Sequence, residues 1–232
     1  MLPMGIGGWG VPPAQAQSDV YPWWDCSWEG SSGIVTYYVA GTFPDDVVRE
    51  GVVNSFEDRI SGAAANWNSQ LSAVSANNTL AMTSNGLSAD IYWTYRNISG
   101  PAVTTVTALG GCDNHGSGDS DITDVLVEVD RREEWWTQPD SRRSTFESCT
   151  SSNPSYTCSK EWDFGETAAH EMGHALGMDE AQTHSGGSSA ADCGDGDIRA
   201  TLCSGLMDWV TARRTPNTFD RETLDRVYEN FD

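Results

Sequence analysis

The sequence is poor in positive charge. Of its 232 residues, 13 are Lys or Arg against 34 Asp or Glu, a formal net charge of −21. Lys160 is the single lysine. That balance excludes the basic footprint needed for nucleic acid or an anionic membrane surface. No apolar run approaches the roughly 18 residues of a membrane helix. There is no CxxC pair to hold a metal through thiolates, no EF-hand spacing and no internal repeat. What remains is an acidic, self-repelling chain, expected to be a monomer and long enough for one domain with a substantial core.

Residues 1–16 are apolar and rich in Gly and Pro, ending Ala14-Gln15-Ala16 before Gln17. That ending looks like the tail of a secretory signal peptide with a small-x-small cleavage site. Residues 1–18 are therefore set aside as a leader, and 19–232 are taken as one domain. The six cysteines, Cys26, Cys112, Cys149, Cys158, Cys193 and Cys203, are even in number. Three disulfides in an oxidising compartment are the economical expectation, which places the protein outside the cell. The short separations suggest Cys149–Cys158 and Cys193–Cys203, leaving Cys26–Cys112.

Gly33–Ala40 is β-branched and aromatic and reads as a strand. From Pro44, Val47, Val48, Val52, Phe56, Ile60 and Ala64 fall at helical spacing, with Asp45 available as a cap. This predicts a helix from there to about Leu71, interrupted or weakened near Gly62. Four strands are expected next, at Thr79–Thr83, Ala89–Tyr95, Ala102–Leu109 and Ile122–Val129. A helix follows over Phe164–Leu176, with Asp163 and Glu166 forming a capping-box-like start and Gly177 at its C-terminal stop. The segment from His184 to Ile198 reads as irregular. A last helix begins near Asp220, with Phe219, Leu224, Val227 and Tyr228 on its inner face. Strands grouped between helices predict an α+β fold.

The helix near residue 170 contains His170-Glu171-Met172-Gly173-His174. Residues four apart share a helix face, so two imidazoles can grip one metal ion from the same side. Zinc accepts such donors and prefers four ligands. Glu171 leaves the ligand line yet stays beside the open position. From there a carboxylate can take a proton from metal-activated water and pass it to a leaving amine.

The run His170-Glu171-Met172-Gly173-His174-Ala175-Leu176-Gly177 resembles the first eight positions of HExxHxxGxxH, the extended motif of the metzincin zinc endopeptidases. TAAHEMGHALGM and VEVDRREEWW look most like matrixins. Ser204-Gly205-Leu206-Met207-Asp208-Trp209 looks like the Met-turn, with Met207 as the hydrophobic floor beneath the ligands. The resemblance covers roughly Gly33 to Asp232. It implies a twisted five-stranded mixed sheet with a long backing helix, a motif helix, the Met-turn and a C-terminal helix. An upper sheet subdomain would span 19–177 and a lower one 178–232. It also implies one catalytic Zn²⁺ and an extended polypeptide substrate, with Glu171 as general base and then general acid. The eleventh motif position, His or Asp in the clan, is Glu180 here, and Trp209 stands where a tyrosine is common. Glu180 occupies the register of the third ligand, with His184 and Asp179 as rivals.

Two other classes compete. A zincin of another subclass would take a distant glutamate, Glu222, as third ligand. A non-catalytic binding module on a zincin scaffold would have no need of Glu171. Asp113, Asp119, Asp121 and Asp124, and separately Asp192, Asp195 and Asp197, are oxygen-rich clusters that could take Ca²⁺, although solvated acidic loops are the favoured explanation. His115 reads as exposed. Trp23-Trp24 and Trp135-Trp136 read as packing aromatics, and Asn77 and Asn97 head N-x-Ser/Thr sequons.

Overall fold

The computed structural model describes residues 26–28, 33–44, 47–49, 52–99, 102, 104–110, 120–137, 161–178 and 215–229. Strand β1 is Cys26–Ser27, β2 Ile34–Val39, β3 Val47–Arg49 and β4 Val52–Asn54. Helix α1 covers Phe56–Ala73; β5 is Thr79–Met82, β6 Ile91–Arg96, β7 Thr104–Gly110, β8 Ser120–Asp121 and β9 Asp124–Asp130. Then come β10 (Glu134–Trp136), β11 (Glu161–Asp163), helix α2 (Phe164–Ala175) and helix α3 (Thr218–Glu229). Among the described residues no helix is long and apolar enough to cross a membrane.

The architecture mixes helices with a five-stranded mixed sheet, consistent with the α+β expectation. The strand order is β5-β2-β6-β9-β7. The first four run parallel, and β7 pairs antiparallel with β9 at the edge. The alternation along the strands explains which face is covered. Val35 and Tyr37 of β2, Ile91 and Trp93 of β6, and Val125, Val127 and Val129 of β9 are all buried. Side chains two apart share a sheet face, so these form one apolar layer under the helices. Each such side chain contributes about 1.5–3 kcal/mol on burial. On the other face Tyr38 packs on Tyr92 at 5.3 Å, and Glu128 pairs with Arg96 and accepts a hydrogen bond from Thr105 at 3.1 Å.

The expected helix start at Pro44 is corrected. Val47–Arg49 and Val52–Asn54 pair antiparallel, and the helix begins only at Phe56. The physical reason is twofold. Four valines within VVREGVVN favour extended backbone, where branched side chains fit, over a helix that crowds them. Ser55 and Asp58 then form a reciprocal capping box, with Asp58 N–H donating to Ser55 Oγ at 3.0 Å and Ser55 N–H to Asp58 Oδ2 at 3.2 Å. Asp45, the expected cap, lies outside the described residues. Gly62 does not interrupt the helix: α1 runs unbroken for 18 residues, because Ile60, Ala63, Ala64, Trp67 and Leu71 anchor its buried face on both sides of the glycine. The short β1–β8 and β10–β11 parallel pairs were not foreseen. Two- and three-residue strands carry too little pattern to read.

Candidate metal centre

Helix α2 is buried along almost its whole length; His170 is the partly exposed exception. A helix with so little solvent must be held on every side. At its start, Asp163 caps the Glu166 N–H at 3.0 Å. Phe164 meets Phe56 of α1 edge-on at 4.5 Å and Trp135 at 5.5 Å. Gly165, Ala168, Ala169 and Ala175 are small enough to let neighbours approach closely, and two buried indoles use that space. Trp67 of α1 donates Nε1–H to the Ala169 carbonyl at 2.8 Å, and Trp28 donates to the Ala175 carbonyl at 2.7 Å. The long backing helix is thus tied directly to the turn that carries His170.

The end of α2 is a Schellman motif. Met178 N–H reaches the Gly173 carbonyl at 3.3 Å and Gly177 N–H the His174 carbonyl at 2.9 Å. This reversal needs Gly177 at φ +94°, in the left-handed region where a Cβ is penalised. It has a consequence for the site. The Met178 carbonyl is turned back onto His174 Nδ1, 2.8 Å away. A carbonyl only accepts, so Nδ1 carries the proton and His174 Nε2 presents a lone pair.

That lone pair faces the second imidazole. The Nε2 atoms of His170 and His174 are 3.0 Å apart, with the rings nearly perpendicular at 85°. Two nitrogens on a tetrahedral zinc at about 2.05 Å would be separated by about 3.3 Å. A few tenths of an ångström of adjustment would seat the ion, so the pair fits zinc. Carbonyl support of a ligating imidazole is also the usual arrangement behind a metal. His170, Glu171 and His174 each place a donor atom within 4.8 Å of the others.

Glu171 is buried. Its Oε1 accepts a hydrogen bond from the hydroxyl of Thr104, at the start of the edge strand β7. For Oε2 the described residues supply no partner. Glu222 is exposed on α3 and, among the described residues, is not part of the His-Glu-His group. Glu180, His184, Asp179, Met207 and Trp209 lie outside the described residues. So do Cys112, Cys149, Cys158, Cys193 and Cys203, leaving Cys26 placed in β1 and the disulfide pairings unaddressed. Asp113, Asp119, His115, Asp192, Asp195 and Asp197 also fall outside. Asp121 lies in β8, and Asp124 is exposed at the start of β9. Trp135 is buried as expected, whereas Trp23 and Trp24 fall outside. Asn77 and Asn97 are on the surface.

Sequence reasoning missed Thr104, Trp28, Trp67 and the Met178 carbonyl. Trp67 could have been found, since it continues the apolar face of Ile60, Ala63 and Ala64. The others depend on contacts made across the fold and leave no local signal. A second polar cluster braces the turn after β9. Arg132 hydrogen-bonds the buried Asp130 carboxylate and also reaches the Ile98 carbonyl. That guanidinium holds the Asp130 carboxyl below the usual carboxylate range.

No protein-family model matches the chain, and no curated protein matches it. Among the solved structures that do match is one described as the GM1 bound form of the ECX AB5 holotoxin, at 12% identity over 85% of this chain and 80% of that chain. Its TM-score is 0.46, too low a likeness to bear on fold or function.

Proposed function

We propose that the chain is a secreted zinc-dependent endopeptidase of the metzincin type. One observation carries the proposal. Two imidazole Nε2 atoms converge at 3.0 Å, one with its tautomer set by the Met178 carbonyl, beside a buried carboxylate that touches an antiparallel edge strand. His170 and His174 would hold the ion. Glu180 is proposed as third ligand from its place in the motif: three residues span at most about 10 Å, enough to return from Gly177 to the histidines. Two histidines and one glutamate are an established catalytic zinc set.

Zinc bound there would polarise a peptide carbonyl and lower the pKa of water toward about 7. The remaining work belongs to side chains and backbone. Glu171 would take a proton at Oε2 from the attacking water as the water oxygen bonds to the peptide carbon, and give it to the amine nitrogen as the C–N bond breaks. Among the described residues β7 pairs on one side alone, with β9, so its outer edge offers N–H and C=O groups to an extended peptide. An extended chain aligned on β7 would pass the start of the strand, where Thr104 meets Glu171.

The test is casein hydrolysis by the wild type and by Glu171→Gln, with zinc content measured on both. The wild type should cleave. The variant should keep its zinc and lose about 10²–10⁴-fold in rate. A zinc-loaded wild type that cleaves nothing would favour a binding module on a zincin scaffold instead.

A further inference from the structure

Thr104 stands opposite Val129 in the β7–β9 ladder, and Val129 belongs to the buried row under the helices. Directly opposed residues in an antiparallel pair project to the same side of the sheet. Thr104 is therefore directed at α2, and its hydroxyl donates to Glu171 Oε1. Thr105 projects to the other side, where it meets Glu128. The bond to Glu171 thus depends on the register of one strand.

On the peptidase reading above, the geometry points to Thr104 as a positioning residue for Glu171. A glutamate side chain has three torsions and loses considerable freedom when fixed. Threonine is stiff at χ1, and here its backbone is clamped by the sheet ladder. Its hydroxyl holds Oε1 and leaves Oε2 as the oxygen that takes the proton. The same strand would seat the peptide through its main chain. One strand then contacts both the substrate and the base, and the Thr104 hydroxyl limits how far the carboxylate on α2 can shift from the peptide. Removing the hydroxyl should degrade the orientation of the base without weakening the grip on zinc or peptide. Small misplacements of a reacting group cost up to about 10²-fold.

The experiment compares Thr104→Val, Thr104→Ala and Thr104→Ser with the wild type in the full chain. It reads kcat and KM on labelled casein, zinc affinity by competition with a chromophoric chelator, and the thermal midpoint. Thr104→Val is expected to lower kcat by about 10–100-fold, with KM and zinc affinity within about twofold of wild type. Thr104→Ser should recover most of the loss, since it restores the donor. If the valine variant fails to fold, the alanine variant carries the same expectation. A valine or alanine variant with wild-type kcat, or a serine variant as slow as valine, overturns the role of Thr104 and leaves the peptidase proposal standing. A zinc-loaded wild type without turnover overturns both.

Discussion

Replacing Gly177 by alanine should damage the centre without touching a ligand. Gly177 holds φ at +94°, and its reversal places the Met178 carbonyl 2.8 Å from His174 Nδ1. A Cβ in left-handed backbone costs about 1–2 kcal/mol. For a domain of this size, 1 kcal/mol corresponds to roughly 2–4 °C in Tm. The zinc-free variant should therefore melt about 2–8 °C lower than wild type. The strain can be relieved by opening the Schellman turn, and that withdraws the carbonyl from His174. Loss of such support behind a metal-ligating histidine typically weakens metal affinity about 10–100-fold. The assay is zinc competition against a chromophoric chelator, with melting followed in parallel in zinc-free buffer. A folded Gly177→Ala protein with zinc affinity within about twofold of wild type would refute the link between the turn, the tautomer of His174 and the metal.

Gly62→Ala provides the contrasting case. The site is exposed in mid-helix and a Cβ there meets nothing within 4 Å, so the variant should gain about 0.5–1 kcal/mol in denaturant unfolding and leave zinc affinity unchanged. Arg132→Ala should raise the pH of acid unfolding. With its native pKa depressed, Asp130 adds stability that is complete above its unfolded value of about 3.9 and drains away as pH falls below it. Without the guanidinium that increment shrinks, so the variant is less stable at every pH above the window and reaches its acid-unfolding midpoint at higher pH. An unchanged midpoint in tryptophan fluorescence would remove the pair from the acid response. Among Glu180→Ala, His184→Ala and Asp179→Ala, the first should lose zinc while the other two retain it; loss in the His184 variant alone would reassign the third ligand.

The sheet strands were legible because each has a local signature. IVTYYV and IYWTYR combine branched and aromatic residues with period-two burial, DVLVEVD carries three valines two apart, and the observed bounds differ from the expected ones by a few residues. The motif helix was legible through Asp163 and Gly177, which stop it at both ends. The region before α1 misled, because Val47, Val48 and Val52 satisfy a helical spacing while favouring strand. At the candidate metal centre, the i and i+4 histidines and the intervening carboxylate followed from helix geometry alone. The hydroxyl at Glu171 Oε1, the carbonyl behind His174 and the two indole anchors did not. Each joins residues far apart in the chain or depends on a turn whose carbonyl direction no residue type announces.

The most direct measurement is hydrolysis by the purified full chain stripped of metal and titrated with zinc. Cleavage of casein should be absent in the stripped protein and rise linearly until one equivalent of Zn²⁺ per chain has been added. Bound zinc at one equivalent without hydrolysis, or hydrolysis undiminished after the metal is removed, would contradict a zinc endopeptidase built on His170, Glu171 and His174.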